Sequence, residues 1–150
     1  MSKLILLDSG PLGLASNPRT TPDAEACRDW IRDCEARGDL VVVSEVADYE
    51  VRRELLRARK STGIARLDIV KSQLSYLAIT TQAMLKAAEL WAQARHLGKQ
   101  TADDSSLDAD MILAAQAVWL IHDGNEVIVA TTNPKHLSLF VPAARWQDIN

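Results

Sequence analysis

The chain has 150 residues, of which 47% are hydrophobic and 25% charged, a composition that suits one domain with a sizeable core over residues 1–150. Its net charge of −3 excludes a general basic field for non-specific nucleic-acid binding, although a local basic site stays compatible with it. No apolar run reaches the length of a membrane span, and no signal-peptide pattern opens the sequence, so we expect a cytoplasmic protein.

The first predicted element is a strand that ends in an aspartate. Residues Leu4–Leu7 form a continuous apolar run, which is typical of a strand buried on both faces of a parallel sheet. Asp8 follows at the carboxyl end, the edge where open α/β sheets bind ligands. Asp8 either caps a short helix that begins at Ser9 or Gly10, or serves as a metal-binding or catalytic carboxylate.

The next predicted helix carries both cysteines. It runs from Asp23 to Arg37, with Thr21 as its N-cap. Cys27 and Cys34 lie two helical turns apart, about 10 Å, which is too far for a disulfide. We therefore interpret them as small buried apolar residues, as expected in a reducing compartment.

A second strand, Asp39–Val43, leads into a helix with an acid on its predicted inner face. Ser44 is the predicted N-cap, and the helix extends from residue 45 to about 59. Tyr49 and Glu50 share a face with apolar residues at helical spacing, which places Glu50 close to the strand end. Glu45 and Asp48 are interpreted instead as first-turn acids that favour the helix dipole.

Residues 52–60 are locally basic, and two interpretations stay open. Cations near a helix C-terminus commonly form a solvated face, but the same run would also suit a phosphate-contacting ridge beside an acidic site. Thr62–Gly63 predicts a break before the next helix, Ile64–Ser75. A short strand, Tyr76–Ile79, and a helix capped by Thr80 or Thr81 follow, and the inner stripe of that helix is Met84, Ala87, Ala88, Trp91 and Ala94.

The helix predicted over Leu107–His122 follows a polar loop and contains the third informative acid. Asp110 falls on the apolar stripe of the first turn, where a capping acid does not belong. Asp108 lies about 200° away around the helix, and the preceding Ser105 gives it a possible structural role in a capping box.

The remaining elements complete the predicted sheet. Glu126–Ala130 reads as a strand, the turn Thr131–Pro134 leaves its carboxyl end, and Ala144–Trp146 adds a possible edge strand. This order of strands and helices predicts an α/β three-layer sandwich. Its central, mainly parallel sheet has four or five strands, with helices on both faces.

Asp8, Glu50 and Asp110 would meet at one edge of that sheet. Three crowded carboxylates repel each other, and a cation relieves the repulsion. Oxygen ligands without His or Cys favour Mg²⁺ or Mn²⁺ over Zn²⁺. The spacing therefore predicts a divalent-cation site suited to phosphodiester hydrolysis.

The motifs around these acids resemble the PIN-domain family, and within it the VapC-type ribonuclease toxins. The resemblance covers nearly the whole chain. The matching segments are Leu6-Leu7-Asp8-Ser9, Ser44 with Glu50 and Leu55, Asp110-Met111-Ile112-Leu113-Ala114-Ala115, and Thr131-Thr132-Asn133. Many family members carry an acid where His136 stands here, and Asp108 or Asp104 could supply that charge. A single Mg²⁺ is therefore the safer expectation, with a second arriving only with RNA.

The resemblance implies a PIN-like fold and Mg²⁺- or Mn²⁺-dependent endoribonuclease activity by metal-activated water. Asp8, Glu50 and Asp110 would be catalytic and metal-binding, with Asp108 as a further candidate ligand. Ser9, Thr131 and Asn133 would orient water or substrate. The implied partners are RNA, a cognate antitoxin protein and a second copy of the chain, with no membrane.

Two other functions compete with this interpretation. A phosphotransfer domain would use Asp8 as its acceptor, but Gly10 stands where a dehalogenase-like site needs its second aspartate. A PIN fold with an eroded acidic site would bind RNA or protein without cleaving, and His136 keeps this alternative open.

Overall fold

The structure, a computed structural model, describes residues 2–98 and 104–150, and only the backbone of residues 104–106. The strands are β1 (Leu4–Leu7), β2 (Leu40–Ser44), β3 (Ser75–Leu77), β4 (Val127–Thr131) and β5 (Ala143–Arg145). The helices are α1 (Ser9–Ser16), α2 (Pro22–Ala36), α3 (Glu45–Arg57), α4 (Ser61–Gln73), α5 (Thr81–His96) and α6 (Asp104–His122). The predicted α/β class is confirmed.

The five strands form one parallel sheet in the order β3-β2-β1-β4-β5. Side chains of β1 alternate between its two faces, as the two-residue period of a strand requires. Leu6 packs with α5 and α6 residues, whereas Ile5 and Leu7 pack with α1, α2 and α4. The sheet is therefore the middle of three layers, which explains why its strands are continuously apolar.

The register brings three strand ends together at the carboxyl edge of the sheet. Leu7 pairs with Val43 on one side and with Ala130 on the other, so Asp8 emerges between the last residues of β2 and β4. Within residues 2–98 and 104–150, none of the helices combines the length and hydropathy that a bilayer crossing requires.

The predicted inner face of α3 was right in part, because Val46 is buried and Glu50 is half-buried, but it was wrong for Tyr49. Tyr49 is 60% exposed, and the buried positions are Val46, Ala47 and Asp48. Ser44 does occupy the predicted N-cap position, but its hydroxyl makes no cap hydrogen bond and donates instead to the Leu7 carbonyl of the neighbouring strand at 3.4 Å. The Ser44 side chain therefore bonds to the neighbouring strand β1 and not to the backbone of α3.

Several boundaries also differ from the sequence prediction. Gly63 lies inside α4 rather than at a break, because a Cβ there would stand 2.8 Å from Leu55 Cδ2 and the two helices need that close approach. Met84 is 46% exposed, and the buried stripe of α5 is Ala83, Ala87, Leu90 and Ala94. The backbone of α6 begins at residue 104, and the side chains of Asp104 and Ser105 lie outside the described part.

Candidate active site at the carboxyl edge of the sheet

Asp8 is held by hydrogen bonds to both of its carboxylate oxygens. The Ser9 N–H donates to Oδ1 and the Thr131 hydroxyl donates to Oδ2, each at 2.8 Å. Burial raises the pKa of Asp8, although these two hydrogen bonds oppose the rise. Asp8 therefore caps α1, as one of the two sequence interpretations expected, but it does so as a carboxylate that burial disfavours.

Thr131 is the residue that fixes the far side of this carboxylate. It is the last residue of β4 and is 1% exposed. Its hydroxyl also accepts the Asn133 N–H at 3.2 Å, while the Asn133 side-chain oxygen accepts the Lys135 N–H at 3.3 Å. The turn after β4 thus orients Thr131, and Thr131 orients Asp8.

Glu50 and Asp110 carry the other two perturbed carboxylates. Burial and, to a smaller extent, the charge of Asp8 raise the pKa of Glu50 to about 7, while the charge of Arg53 opposes the rise. Burial, together with the smaller effects of the charges of Asp8 and Glu50, likewise raises the pKa of Asp110 to about 7. Each of the three acids therefore lies within electrostatic range of the other two.

The three carboxylates nevertheless do not form a closed cage. Among the residues with described side chains, no group of three or more His, Cys, Asp or Glu stands in position to hold a metal ion. The donor chemistry still fits Mg²⁺ or Mn²⁺, because all three are hard oxygen ligands whose mutual repulsion a cation would relieve. Joint coordination would require their side chains to move towards one another.

The other predicted site residues differ in their placement. Asp108 is exposed, whereas Asp110 is half-buried two residues later on α6, so the structure brings Asp110 and not Asp108 towards the acids. Asn133 is exposed on the turn after β4, and His136 is half-buried just before a short 3₁₀ helix, Leu137–Leu139.

Comparisons with known proteins agree with this architecture. Residues 5–136 match the family model of the PIN domain. The chain belongs to the PIN domain family. No curated protein matches the chain in a sequence comparison.

Solved structures with a similar fold include VapBC and FitAB proteins and a VapC toxin. VapBC2 from Rickettsia felis, bound to a promoter DNA fragment, has a TM-score of 0.73 at 15% identity and covers 95% of this chain and 98% of its own. FitAcB from Neisseria gonorrhoeae has a TM-score of 0.69 at 20% identity, covering 97% and 99%. VapC20 from Mycobacterium tuberculosis, described as a sarcin–ricin loop cleaving toxin, has a TM-score of 0.59 at 16% identity, covering 91% and 96%.

A buried ion-pair network beside the PIN-domain acids was missed by sequence reasoning. Asp48 is 6% exposed and accepts hydrogen bonds from Arg52 at 2.9 Å and from Lys71 at 3.2 Å. Lys71 also lies 4.4 Å above the Tyr76 ring, and the Tyr76 hydroxyl donates to Glu45 at 3.2 Å. The network joins α3 to α4 and to β3, so Asp48 is more than an acid that favours a helix dipole.

Arg53 lies between the acidic centre of the PIN domain and its basic segment. Its guanidinium is 4.0 Å from the Glu50 carboxylate and 5.2 Å from the centre of the Tyr49 ring. Beyond it, a groove of about 850 Å³ runs along α3 to the turn before α4, with Ser9 and Glu50 at its near end. Arg52 faces away from this groove and pairs with Asp48 and Asp68.

Proposed function

We propose that this PIN domain is a Mg²⁺- or Mn²⁺-dependent endoribonuclease and the toxin of a VapBC-type pair. The observation that carries the proposal is the electrostatic coupling of Asp8, Glu50 and Asp110, which come from three separate elements to one sheet edge. Without a cation, coupled carboxylates that are partly buried cost stability, so their convergence at one edge favours a cation-binding role.

Each residue of the site has a part in this function. Asp8, Glu50 and Asp110 would hold the cation, which when bound supplies an acidified water nucleophile and neutralises phosphate charge. Thr131 and the Ser9 N–H keep Asp8 oriented, and the turn at Asn133 holds Thr131 in place. Such outer hydrogen bonds fix the direction of a ligand and tune its basicity.

Arg53 is placed to act on substrate charge in this function. If Glu50 held a cation, the Arg53 guanidinium would be able to pair with a phosphate oxygen instead of the Glu50 carboxylate. Its 43% exposed side chain leaves it accessible from the groove. Asp108 stays a secondary candidate ligand, because its exposed position on α6 suits solvent or capping better than this centre.

The partner assignments rest on the solved structures of similar fold. The complexes from Rickettsia felis and Neisseria gonorrhoeae contain both members of a VapBC or FitAB pair, which supports a cognate antitoxin for this chain. The description of VapC20 as a loop-cleaving toxin supports RNA as the substrate. A homodimer and a cytoplasmic location complete the proposal.

The test is cleavage of RNA by the purified chain with Mg²⁺, Mn²⁺ or EDTA. We expect cleavage with either cation, none with EDTA, and loss to background for Asp8→Asn and Asp110→Asn. Asp29→Asn on the exposed face of α2 is the matched control and should cleave as wild type does. Cleavage that persists in EDTA or in Asp8→Asn would refute the metal-dependent assignment.

A non-cleaving binding module is the second candidate. It is favoured by one observation, namely that the described acids are not already placed around a common metal position. RNA binding without cleavage, together with equal and negligible Mn²⁺ uptake by wild type and Asp8→Asn, would establish it.

A further inference from the structure

The groove beside Glu50 has two walls of different origin. One wall is α3 and the turn that follows it, and the other is the loop between α1 and α2, which contributes Asn17, Pro18 and Arg19. Its near end includes Ser9, which follows Asp8 directly. The groove is therefore continuous with the proposed catalytic edge rather than a separate cavity.

The groove concentrates positive charge in a protein that is negative overall. Its lining includes five cations, Arg19, Arg53, Arg57, Arg59 and Lys60, against the two carboxylates Glu50 and Glu54. Arg57 pairs with Glu54 at 2.8 Å, and both side chains are largely exposed. No carboxylate among the described residues forms an ion pair with Arg19, Arg59 or Lys60. An excess of three positive charges thus lies along the groove while the whole chain carries −3.

The backbone of Arg59 is in the left-handed helical region, which is unfavourable for a residue with a Cβ. Its φ is 56°, and no other non-glycine residue in the described part has a positive φ. The turn is a Schellman motif, because the Lys60 N–H donates to the Leu55 carbonyl at 2.9 Å and the Arg59 N–H to the Leu56 carbonyl at 3.1 Å. Glycine is the usual residue at this position, so an arginine here costs stability that a functional side chain would justify.

We propose that this groove binds the phosphate backbone of single-stranded RNA on one side of the scissile bond, with Arg59 and Lys60 contacting phosphates. The proposal rests on the proposed nuclease function and extends it. Glu50 and Arg57 are separated by two helical turns, about 10 Å along α3. Arg59 and Lys60 follow Arg57 beyond the end of α3, so the phosphates that they contact lie farther than this from the cleavage point.

The chemistry of the lining favours RNA over an acidic peptide. Four of the five cations are arginines, whose planar guanidinium matches the paired oxygens of a phosphate. The cations also lie one after another along the groove, starting from the catalytic edge. This arrangement suits RNA, which carries one negative charge per nucleotide and has to pass the catalytic edge to be cleaved. An acidic protein segment would not need this continuity with Asp8 and Glu50.

The test measures RNA binding in EDTA, where cleavage is blocked. A fluorescent, unstructured oligoribonucleotide of about twelve nucleotides is titrated by anisotropy between 50 and 200 mM KCl. Each lost phosphate contact lowers the slope of log affinity against log salt by about 0.7. We expect Arg59→Gly/Lys60→Ala to lower the slope by about 1.4, so that wild type loses about sevenfold more affinity than the variant over this range.

Two controls separate this role from a structural one. Arg32→Ala/Lys86→Ala removes the same charge from α2 and α5, outside the groove, and should leave the slope as in wild type. Arg59→Gly alone suits the left-handed turn, so its melting temperature should equal or exceed that of wild type while its RNA affinity falls. An unfolded or destabilised Arg59→Gly protein would contradict the role assigned to this side chain.

The outcomes distinguish the groove from the nuclease. Wild type that fails to bind RNA, or a slope unchanged in Arg59→Gly/Lys60→Ala, overturns the groove proposal whatever the cleavage assay shows. A lowered slope in a chain that never cleaves RNA retains the groove and refutes the nuclease. If the variant loses binding to a labelled polyglutamate peptide but not to RNA, the groove serves an acidic protein partner and the proposal fails.

Discussion

Replacing Asp110 with asparagine should stabilise the protein when no metal is present. Burial, Asp8 and Glu50 raise the pKa of Asp110 from 3.8 to about 7. A raised carboxylate pKa means that the folded state resists ionisation, so stability falls as the pH climbs from about 4 to 7. The shift corresponds to at most about 4 kcal/mol, of which partial exposure and solvent screening leave on the order of 1–2 kcal/mol.

The assay is urea unfolding of wild type and Asp110→Asn in EDTA at pH 5 and pH 7.5. We expect Asp110→Asn to have the larger free energy of unfolding, and its difference from wild type should be about 1 kcal/mol greater at pH 7.5 than at pH 5. Asp108→Asn removes an exposed carboxylate from the same helix and is the matched control for the loss of one negative charge. The reasoning would be refuted if Asp110→Asn were less stable than wild type at pH 7.5, or if the difference in free energy of unfolding decreased as the pH rises.

Four further substitutions test the hydrogen bonds, ion pairs and packing around the site. Thr131→Val removes the hydrogen bond to Asp8 and should weaken Mn²⁺ binding about 10- to 100-fold in a calorimetric titration, whereas Thr131→Ser should restore it. Asp48→Ala removes the carboxylate that Arg52 and Lys71 share, although Arg52 keeps its ion pair with Asp68, and should lower the free energy of unfolding in urea by about 2 kcal/mol, more than Asp48→Asn does. Gly10→Ala places a Cβ 2.5 Å from Thr132 Cγ2 in the turn after β4, so the melting temperature and the RNA cleavage of this variant should fall. Gly13→Ala in the same helix meets nothing within 4 Å and should gain up to about 1 kcal/mol in urea unfolding.

The sheet and its acidic edge were predictable because their causes are local in the sequence. In the sequence, strands β1, β2 and β4 are each a continuous apolar run next to a turn signal. Because the strands are parallel, the residues that follow their carboxyl ends lie at the same edge of the sheet. Asp110 lies on the apolar stripe of its predicted helix, where a charge has no local reason to be. Asp8 has a local role as the cap of α1, so its place in the site is predicted instead from its position at the end of a buried strand.

Other features depend on contacts between distant segments. The buried Asp48 is paired with Lys71 of α4, which lies 23 residues later in the chain. The sequence around Asp48 contains no pattern that predicts this partner. Gly63 resembles a helix break, yet it permits the close packing of α4 against Leu55. The groove joins the basic segment to Arg19 on another loop, and the left-handed backbone of Arg59 is visible only in the structure.

The most direct test of the account is where a divalent cation binds. Crystals grown with Mn²⁺ and measured for its anomalous signal would locate the ion without reference to activity. The account predicts a peak bounded by the carboxylate oxygens of Asp8, Glu50 and Asp110, at coordination distances of about 2.1 Å. No peak at this edge, or a peak bound by other residues while these three stay apart, would contradict it.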